Sequence, residues 1–201
     1  MSGPLHVGLT GSIGMGKSTT AEMFQKCGLP VWDADAAVHA LYGPQGCGSA
    51  LIAQIAPDTV DFNGVNRPAL RDEIVKNPDL MKRVEAIVHP LVAKDRLNFS
   101  TTNHGVPVLV YDIPLLYEIG ADATLDKVVV VTASAEVQRA RVLERPGMTL
   151  EALEDLLMRQ LPDAEKRSRA DYIVETDKGL EAAQVGVKTI VRELIEAASD
   201  A

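Results

Sequence analysis

The sequence predicts an α/β fold built on a doubly wound, five-stranded parallel sheet, and three observations support this. Short apolar runs alternate with stretches of helical periodicity along the chain, which is typical of such a fold. Two of these runs, VPVLVY at 106–111 and KVVVVT at 127–132, are almost continuously apolar, as expected of strands covered on both faces. A glycine-rich segment directly follows the first apolar run.

The first elements follow this alternation closely. A strand is expected at Leu5–Thr10, and a helix at Ser18–Lys26 that ends before Gly28, a residue type favoured just after a helix C-terminus. Leu29–Trp32 predicts a second strand, and a further helix extends to Tyr42.

Residues 43–105 differ from the rest of the chain. They begin with GPQGCGS, a cluster of helix and strand breakers, and continue with helical periodicity and the turn-rich string DFNGVNRP. No strand is predicted here, so we expect a mostly helical insertion. After this insertion, strands and helices alternate again. Strands are expected at 106–111, 127–132 and 172–174, and helices at 134–144, 150–160, 163–169 and 180–198.

Composition excludes several classes of protein. A net charge of -8 disfavours a nucleic-acid partner bound by a basic surface. The longest purely apolar run, Val128–Val131, is far too short to span a membrane, and MSGPLHVGLTG lacks a long apolar signal core. Cys27 and Cys47 do not have metal-site spacing, and two thiols favour a reducing compartment. We therefore expect a cytoplasmic protein that binds neither nucleic acid nor membrane.

The segment GSIGMGKS at 11–18 fits the phosphate-binding pattern G-x-x-x-x-G-K-[ST], between a predicted strand and a predicted helix. Glycines allow backbone N–H groups to surround phosphate oxygens, and a helix N-terminus adds unpaired donors. Lys17 is expected to reach the β- and γ-phosphates, and the Ser18 hydroxyl to bind Mg²⁺. The alternative is a glycine-rich turn that only links strand to helix. The expected ATP contacts are Gly11, Gly14, Met15, Gly16, Lys17, Ser18 and Thr19.

This phosphate-binding segment, the P-loop, occurs in kinases, GTPases and motor ATPases. The guanine-binding pattern N-K-x-D is absent, and the chain is too short for the additional machinery of most motor ATPases. The sequence therefore favours an ATP-dependent kinase with the P-loop kinase type of sheet.

Three carboxylates follow predicted strands. Asp33 and Asp35 come after the second strand, and Asp112 ends the third. Ligands of open α/β sheets bind beyond the carboxyl ends of the strands, so we expect these acids at one crevice. One could accept a proton and another could hold Mg²⁺, directly or through water. Each could instead cap a helix N-terminus.

The segment around residues 139–169 is rich in arginine, and Pro146-Gly147 is a plausible hinge. We expect this segment to form a cationic lid over the phosphates. The alternative is a set of solvated helix faces, with arginines paired to neighbouring glutamates and aspartates. The expected domains are a nucleotide-binding core at 1–42 and 106–201, an insertion at 43–105 and the lid at 139–169. The arginines are Arg139, Arg141, Arg145, Arg159, Arg167 and Arg169.

The chain resembles the dephospho-CoA kinase family over nearly its whole length. The resemblance depends on LTGSIGMGKST at 9–19, VWDADAAVH at 31–39, the pair His89-Pro90, IPLLYE at 113–118, VVVVTASAEVQRARVLER at 128–145, MRQ at 158–160 and RADYIVET at 169–176. The aspartate segment, the His-Pro pair and IPLLYE, in this order, are much more specific than the P-loop. The family usually has G-G-I-G-S-G-K, so Ser12 and Met15 are departures.

The resemblance implies transfer of the ATP γ-phosphoryl group to the ribose 3′-hydroxyl of dephospho-CoA, with Mg²⁺. Asp33 becomes the candidate general base, and Lys17 and Arg139 join it as catalytic candidates. The insertion becomes the side that binds dephospho-CoA, with His89 as a substrate ligand or, alternatively, a capping or core residue. Arg145 and Leu115 are further substrate-binding candidates, and Asp112 is a candidate metal ligand with Ser18.

Two other functions remain open on the sequence alone. One is a kinase for another small acceptor, such as a nucleoside or nucleoside monophosphate, because a fold does not determine a substrate. The other is a nucleotide-dependent switch whose hydrolysis no acceptor accelerates. We expect a monomer or a weak homo-oligomer.

Overall fold

The computed structural model describes residues 3–200; residues 1, 2 and 201, which the predicted core includes, lie outside this range. Helices and strands alternate at both ends of the chain, and helices dominate between them. In chain order the elements are β1 (Leu5–Thr10), α1 (Lys17–Lys26), β2 (Val31–Asp33), α2 (Ala34–Tyr42), α3 (Cys47–Ala53), β3 (Val60–Asp61), β4 (Gly64–Val65), α4 (Arg67–Lys76), α5 (Asp79–Thr102), β5 (Val108–Asp112), β6 (Lys127–Thr132), α6 (Ala135–Leu143), α7 (Leu150–Met158), α8 (Asp163–Ser168), β7 (Tyr172–Glu175) and α9 (Leu180–Ser199).

The main sheet has five strands in the order β2-β5-β1-β6-β7. Strand β1 pairs in parallel with β5 on one side and β6 on the other, and β6 pairs in parallel with β7. The predicted five-stranded parallel sheet is confirmed. Because β1 lies at its centre, the loop that follows β1 starts at the middle of the carboxyl edge.

Two strands start later than the sequence predicts, and a proline explains each shift. Pro107 has no N–H, so it only accepts a hydrogen bond, from Leu5 N–H at 2.9 Å, and β5 begins at the next residue. Pro30 likewise accepts from Val110 N–H at 3.0 Å, and β2 begins after it. Both strands end in an aspartate, Asp112 and Asp33.

Alternate side chains of the strands are buried on both faces of the sheet. Val7, Leu9 and Val129 pack in one cluster with Phe24 of α1 and Leu194 of α9. Residues from the other face are also buried: Leu109, Tyr111, Val128 and Val130. This burial explains why the central strands are apolar almost without interruption.

The described residues form two compact units, one up to Trp32 and from Asn103 onward, the other Asp33–Thr102. In the second unit, α2 packs on α3 and α5 around a small core of its own. Residues up to 42 were expected in the nucleotide-binding part. The functional division into core, insertion and lid stays a prediction. The small core contains Ile52, Ala56, Leu70, Leu80, Val84 and Val88.

The expectation of no strand in this region is wrong. Strands β3 and β4 form an antiparallel hairpin in which Val60 pairs with Val65 and Asp61 with Gly64. Two-residue strands are too short to show an alternating pattern, so only the turn was visible in the sequence. Gly64 has a φ of 99°, a left-handed conformation that other residues rarely adopt. Within residues 3–200, no helix combines the length and the apolar character that crossing a bilayer requires.

Candidate active site

The P-loop connects β1 to α1 and depends on two glycines in left-handed conformation. Gly14 has a φ of 79° and Gly16 a φ of 91°, where an L side chain would be strained. Gly16 is the N-cap of α1 and provides no side-chain cap. The first N–H groups of α1 are therefore left for another acceptor, and a helix N-terminus favours an anion there.

Three consecutive carbonyl groups of the loop are held by side chains from α6 and the segment after β7. Gln138 Nε2 donates to Ile13 O at 2.7 Å, and the Thr176 hydroxyl donates to Met15 O at 2.7 Å. Arg141 reaches Gly14 O at 3.4 Å and also donates to the Thr176 side-chain and main-chain oxygens, each at 2.8 Å. These contacts give three consecutive acceptors of the loop partners within the protein, while the start of α1 has no side-chain cap.

Met15 enters the protein core instead of facing solvent. The residue is 2% exposed, and its Sδ accepts a hydrogen bond from Ala133 N–H at 3.1 Å. Its own N–H donates to Ser12 O at 3.2 Å. The Met15 side chain therefore anchors the loop to the protein core. The role of Met15 in ATP binding stays a prediction.

Lys17 and Asp112 form an ion pair beside the loop. Lys17 begins α1 and Asp112 ends β5, and the Lys17 ammonium contacts Asp112 Oδ1. The side chains are 15% and 4% exposed, respectively, so solvent screens this pair poorly. Asp112 thus holds the P-loop lysine next to the loop.

The oxygen donors at this edge suit Mg²⁺ bound mainly by phosphate. Ser18 is exposed at the start of α1, and Asp112 contributes a carboxylate. Residues 3–200 contain no group of three or more His, Cys, Asp or Glu arranged to hold a metal. Mg²⁺ commonly takes only one or two protein ligands and completes its shell with phosphate oxygens and water. The roles of Ser18 and Asp112 as metal ligands stay predictions.

The arginines of the predicted lid have different surroundings. Arg139 lies 3.9 Å from Glu154 and Arg145 is exposed, whereas Arg141 contacts the loop. Arg167 pairs with Asp163 at 2.9 Å, and Arg169 with Asp122 at 2.8 Å. Several arginines therefore have carboxylate partners, as the alternative of solvated helix faces with paired charges requires. Arg139 and Arg145 remain predicted phosphate contacts.

The other candidates lie on three different elements. Asp33 is exposed, and its Oδ1 accepts a hydrogen bond from Ala36 N–H at 2.9 Å, which caps α2. Capping uses one carboxylate oxygen, so the cap and a catalytic role are compatible. His89 is an exposed residue within α5, directly before Pro90. Leu115 is 40% exposed in the segment after β5.

Sequence reasoning missed a polar cluster that anchors the segment after α7. Gln160 Oε1 accepts from Ile13 N–H at 3.1 Å, and Glu118 Oε1 accepts from Leu161 N–H at 2.7 Å. Lys166 is fully buried and lies 2.8 Å from Glu118 Oε1, an ionic contact without the alignment of a hydrogen bond. The available signal was the presence of Glu118 and Gln160 in the IPLLYE and MRQ strings.

The Glu118–Lys166 pair makes stability depend on pH. Burial acts to raise the pKa of Glu118, but the Lys166 ammonium and the Leu161 N–H outweigh burial and lower this pKa from its ordinary 4.5. A carboxyl with a lowered folded-state pKa stabilises the protein above its unfolded pKa. This stabilisation is lost as the pH falls through the folded-state value.

We expect Lys166→Met to lower the free energy of unfolding at pH 7 by about 3 kcal/mol, because Glu118 loses its counter-charge. The difference in free energy of unfolding between the variant and the parent protein should become smaller below pH 4.5, because Glu118 becomes protonated in both proteins. Urea unfolding at several pH values measures this. Lys76→Met, which removes an exposed pair with Glu73, is the matched control and should change little. A loss that persists undiminished at low pH would show that the effect is packing alone.

Comparison with known proteins identifies relatives that match nearly the whole chain. The family model for dephospho-CoA kinase matches residues 5–182. The dephospho-CoA kinase of Jannaschia sp. is 50% identical over 190 residues, covering 94% of this chain and 97% of that protein. That of Novosphingobium aromaticivorans is 49% identical over 196 residues, covering 98% of each.

Two solved structures are also similar. The protein TT1252 from Thermus thermophilus has a TM-score of 0.82 and 31% identity, covering 96% of this chain and 99% of that one. Dephospho-CoA kinase from Campylobacter jejuni has a TM-score of 0.67 and 22% identity, covering 94% and 96%, and supports the fold alone. The match of the family model to most of the chain, together with relatives at half identity along nearly its full length, shows that this chain belongs to the dephospho-CoA kinase family.

Proposed function

We propose that this protein transfers the γ-phosphoryl group of ATP to the 3′-hydroxyl of the ribose of dephospho-CoA, which yields coenzyme A and ADP. Family membership supports the activity, and ATP with Mg²⁺ is the phosphoryl donor of such kinases. The observation that carries the proposal is the P-loop itself: side chains hold its carbonyl groups, it leads into a helix N-terminus without a side-chain cap, and the Lys17–Asp112 pair lies beside it.

The phosphate groups are the first part of the substrate that these residues recognise. The open N–H groups at the start of α1 bind phosphate oxygens, and Lys17 offsets the charge on the β- and γ-phosphates. Ser18 and Asp112 would hold Mg²⁺, which neutralises charge on the same oxygens. Arg139 and Arg145 contact the transferring group as the segment around them closes.

Asp33 is the general base in this proposal. It accepts the proton of the 3′-hydroxyl as the bond from O3′ to the γ-phosphorus forms. The bond between that phosphorus and the bridging oxygen breaks, and ADP leaves with the bonding electrons. The exposed carboxyl of Asp33, at the carboxyl end of β2, suits a group that must meet an incoming alcohol.

Unit Asp33–Thr102 contributes the binding surface for dephospho-CoA in this proposal, with His89 as a contact, and Leu115 is a further contact. We also infer a reducing, cytoplasmic location, because both cysteines of the described chain, Cys27 and Cys47, are free thiols. A monomer or a weak homo-oligomer is the proposed state in solution.

The proposed function predicts that ADP release requires dephospho-CoA. A coupled ADP assay would compare dephospho-CoA, a nucleoside, a nucleoside monophosphate and no acceptor. We expect rapid release with dephospho-CoA alone, and none with an analogue that lacks only the 3′-hydroxyl. Faster release with a nucleoside monophosphate would favour the other kinase, and slow release that no acceptor changes would indicate a nucleotide switch.

A further inference from the structure

The peptide groups of Ile13 in the P-loop are held by two glutamine side chains. Ile13 N–H donates to Gln160 Oε1 at 3.1 Å, and Gln138 Nε2 donates to Ile13 O at 2.7 Å. Gln138 is 7% exposed, and Gln160 is half-buried. Both polar backbone groups of Ile13 therefore have partners within the protein.

Ile13 is held by side chains on both of its polar backbone groups, whereas Met15 N–H is bonded within the loop, to Ser12 O at 3.2 Å. The start of α1 has no side-chain cap, whereas the N–H of Ile13 already has a side-chain acceptor. Ile13 thus anchors the loop, and its N–H donates a hydrogen bond to Gln160 instead of to phosphate.

The two glutamines lie on either side of the first four arginines of the arginine-rich segment. Gln138 directly precedes Arg139 in α6, and Gln160 follows the end of α7 by two residues. The residue after Gln160 is itself fixed, because Leu161 N–H donates to Glu118 at 2.7 Å. The part of the segment between Gln138 and Gln160 is therefore connected at both of its ends to one residue of the P-loop.

We propose that Gln138 and Gln160 are positioning residues that hold Ile13 in place, preorganise the P-loop for the triphosphate of ATP and couple the loop to the arginine-rich segment. The inference depends on the proposed function only for the identity of the ligand, ATP. Preorganisation lowers the cost of ordering a binding site when its ligand arrives. Removal of either glutamine should therefore weaken ATP binding without affecting the acceptor.

Methionine has a similar length and no strong hydrogen-bonding group, so it removes the contact with little change in volume. We expect Gln160→Met and Gln138→Met each to raise the KM for ATP about tenfold, the effect of one hydrogen bond. The KM for dephospho-CoA should stay unchanged. Because both side chains act on one residue, the double variant should show an increase well below the product of the single increases.

Gln184→Met is the matched control, since Gln184 is exposed on α9, away from this machinery, and should leave both KM values unchanged. Gln160→Glu retains an acceptor oxygen for Ile13 N–H. Amide hydrogen exchange in ATP-free protein should show Ile13 protected in the parent and in Gln160→Glu, and exchanging faster in Gln160→Met.

Calorimetric titration with Mg²⁺-ATP, without an acceptor, separates this inference from the proposed function. A parent protein inactive towards dephospho-CoA would contradict the function, while the exchange and titration results would still test the anchor. Tighter ATP binding by Gln160→Met would overturn the inference, because phosphate would then compete with Gln160 for Ile13. Unchanged ATP binding with only a lower melting temperature, or equal increases in both KM values, would also overturn it.

Discussion

Asp33→Asn is expected to lower turnover at least about 100-fold, because asparagine cannot accept the proton of the attacking hydroxyl. ATP affinity should change little, since Asp33 is not part of the P-loop. Asparagine is as good an N-cap as aspartate, so the hydrogen bond to Ala36 N–H and the stability of α2 should be retained. Steady-state kinetics with saturating ATP, together with thermal unfolding, measure both effects.

The comparison variant is Asp35→Asn, because Asp35 lies in the first turn of α2, two residues from Asp33. It should retain most of its turnover. A large loss in Asp35→Asn together with retained turnover in Asp33→Asn would assign the base to Asp35 instead. Full activity of Asp33→Asn at an unchanged melting temperature would remove Asp33 from the catalytic role.

Lys17→Met should produce the largest loss, a fall in turnover of about 1,000-fold, because the transferring phosphoryl group loses a positioned cation. The same variant should also lose about 3 kcal/mol of stability, since Asp112, whose side chain is 4% exposed, loses its lysine partner. Kinetics and urea unfolding of the same preparation measure the two losses.

The double variant Lys17→Met with Asp112→Asn separates these effects. Neutralising Asp112 should restore most of the stability, because no buried carboxylate is left without its counter-charge. Turnover should remain low, since the cation is still absent. If the double variant regained activity, Lys17 would act mainly by holding the fold together.

Local sequence patterns predicted the sheet and the P-loop because each depends on residues that are adjacent in the chain. Strand β6 was predicted at its observed bounds, Lys127–Thr132, since an apolar run buried on both faces is visible without any partner. The starts of β2 and β5 were predicted less accurately, because Pro30 and Pro107 only accept a hydrogen bond from the neighbouring strand and each strand begins after its proline. The hairpin β3–β4 was missed because its two-residue strands are defined by pairing alone.

The supports of the loop could not be predicted in the same way. Gln138 and Gln160 lie 125 and 147 residues from Ile13 in the chain, and neither residue type signals a contact of this kind. The sequence also did not distinguish Arg141, which contacts the loop, from Arg139, which lies near Glu154. Both are arginines of one helix, and only the packing of α6 determines which side each one faces.

The five strands of the main sheet and the phosphate-binding loop could therefore be predicted before folding was considered, because strand period and glycine placement are local properties of the chain. The resemblance to the family depended on short strings of residues, which are local as well. The side chains that hold this loop are identified by the folded protein alone: Gln138, Arg141 and Thr176 on its carbonyl groups, Gln160 on Ile13 N–H and Asp112 on Lys17. These contacts join residues far apart in the chain, and a hydrogen bond or an ion pair forms only where folding brings donor and acceptor within about 3 Å.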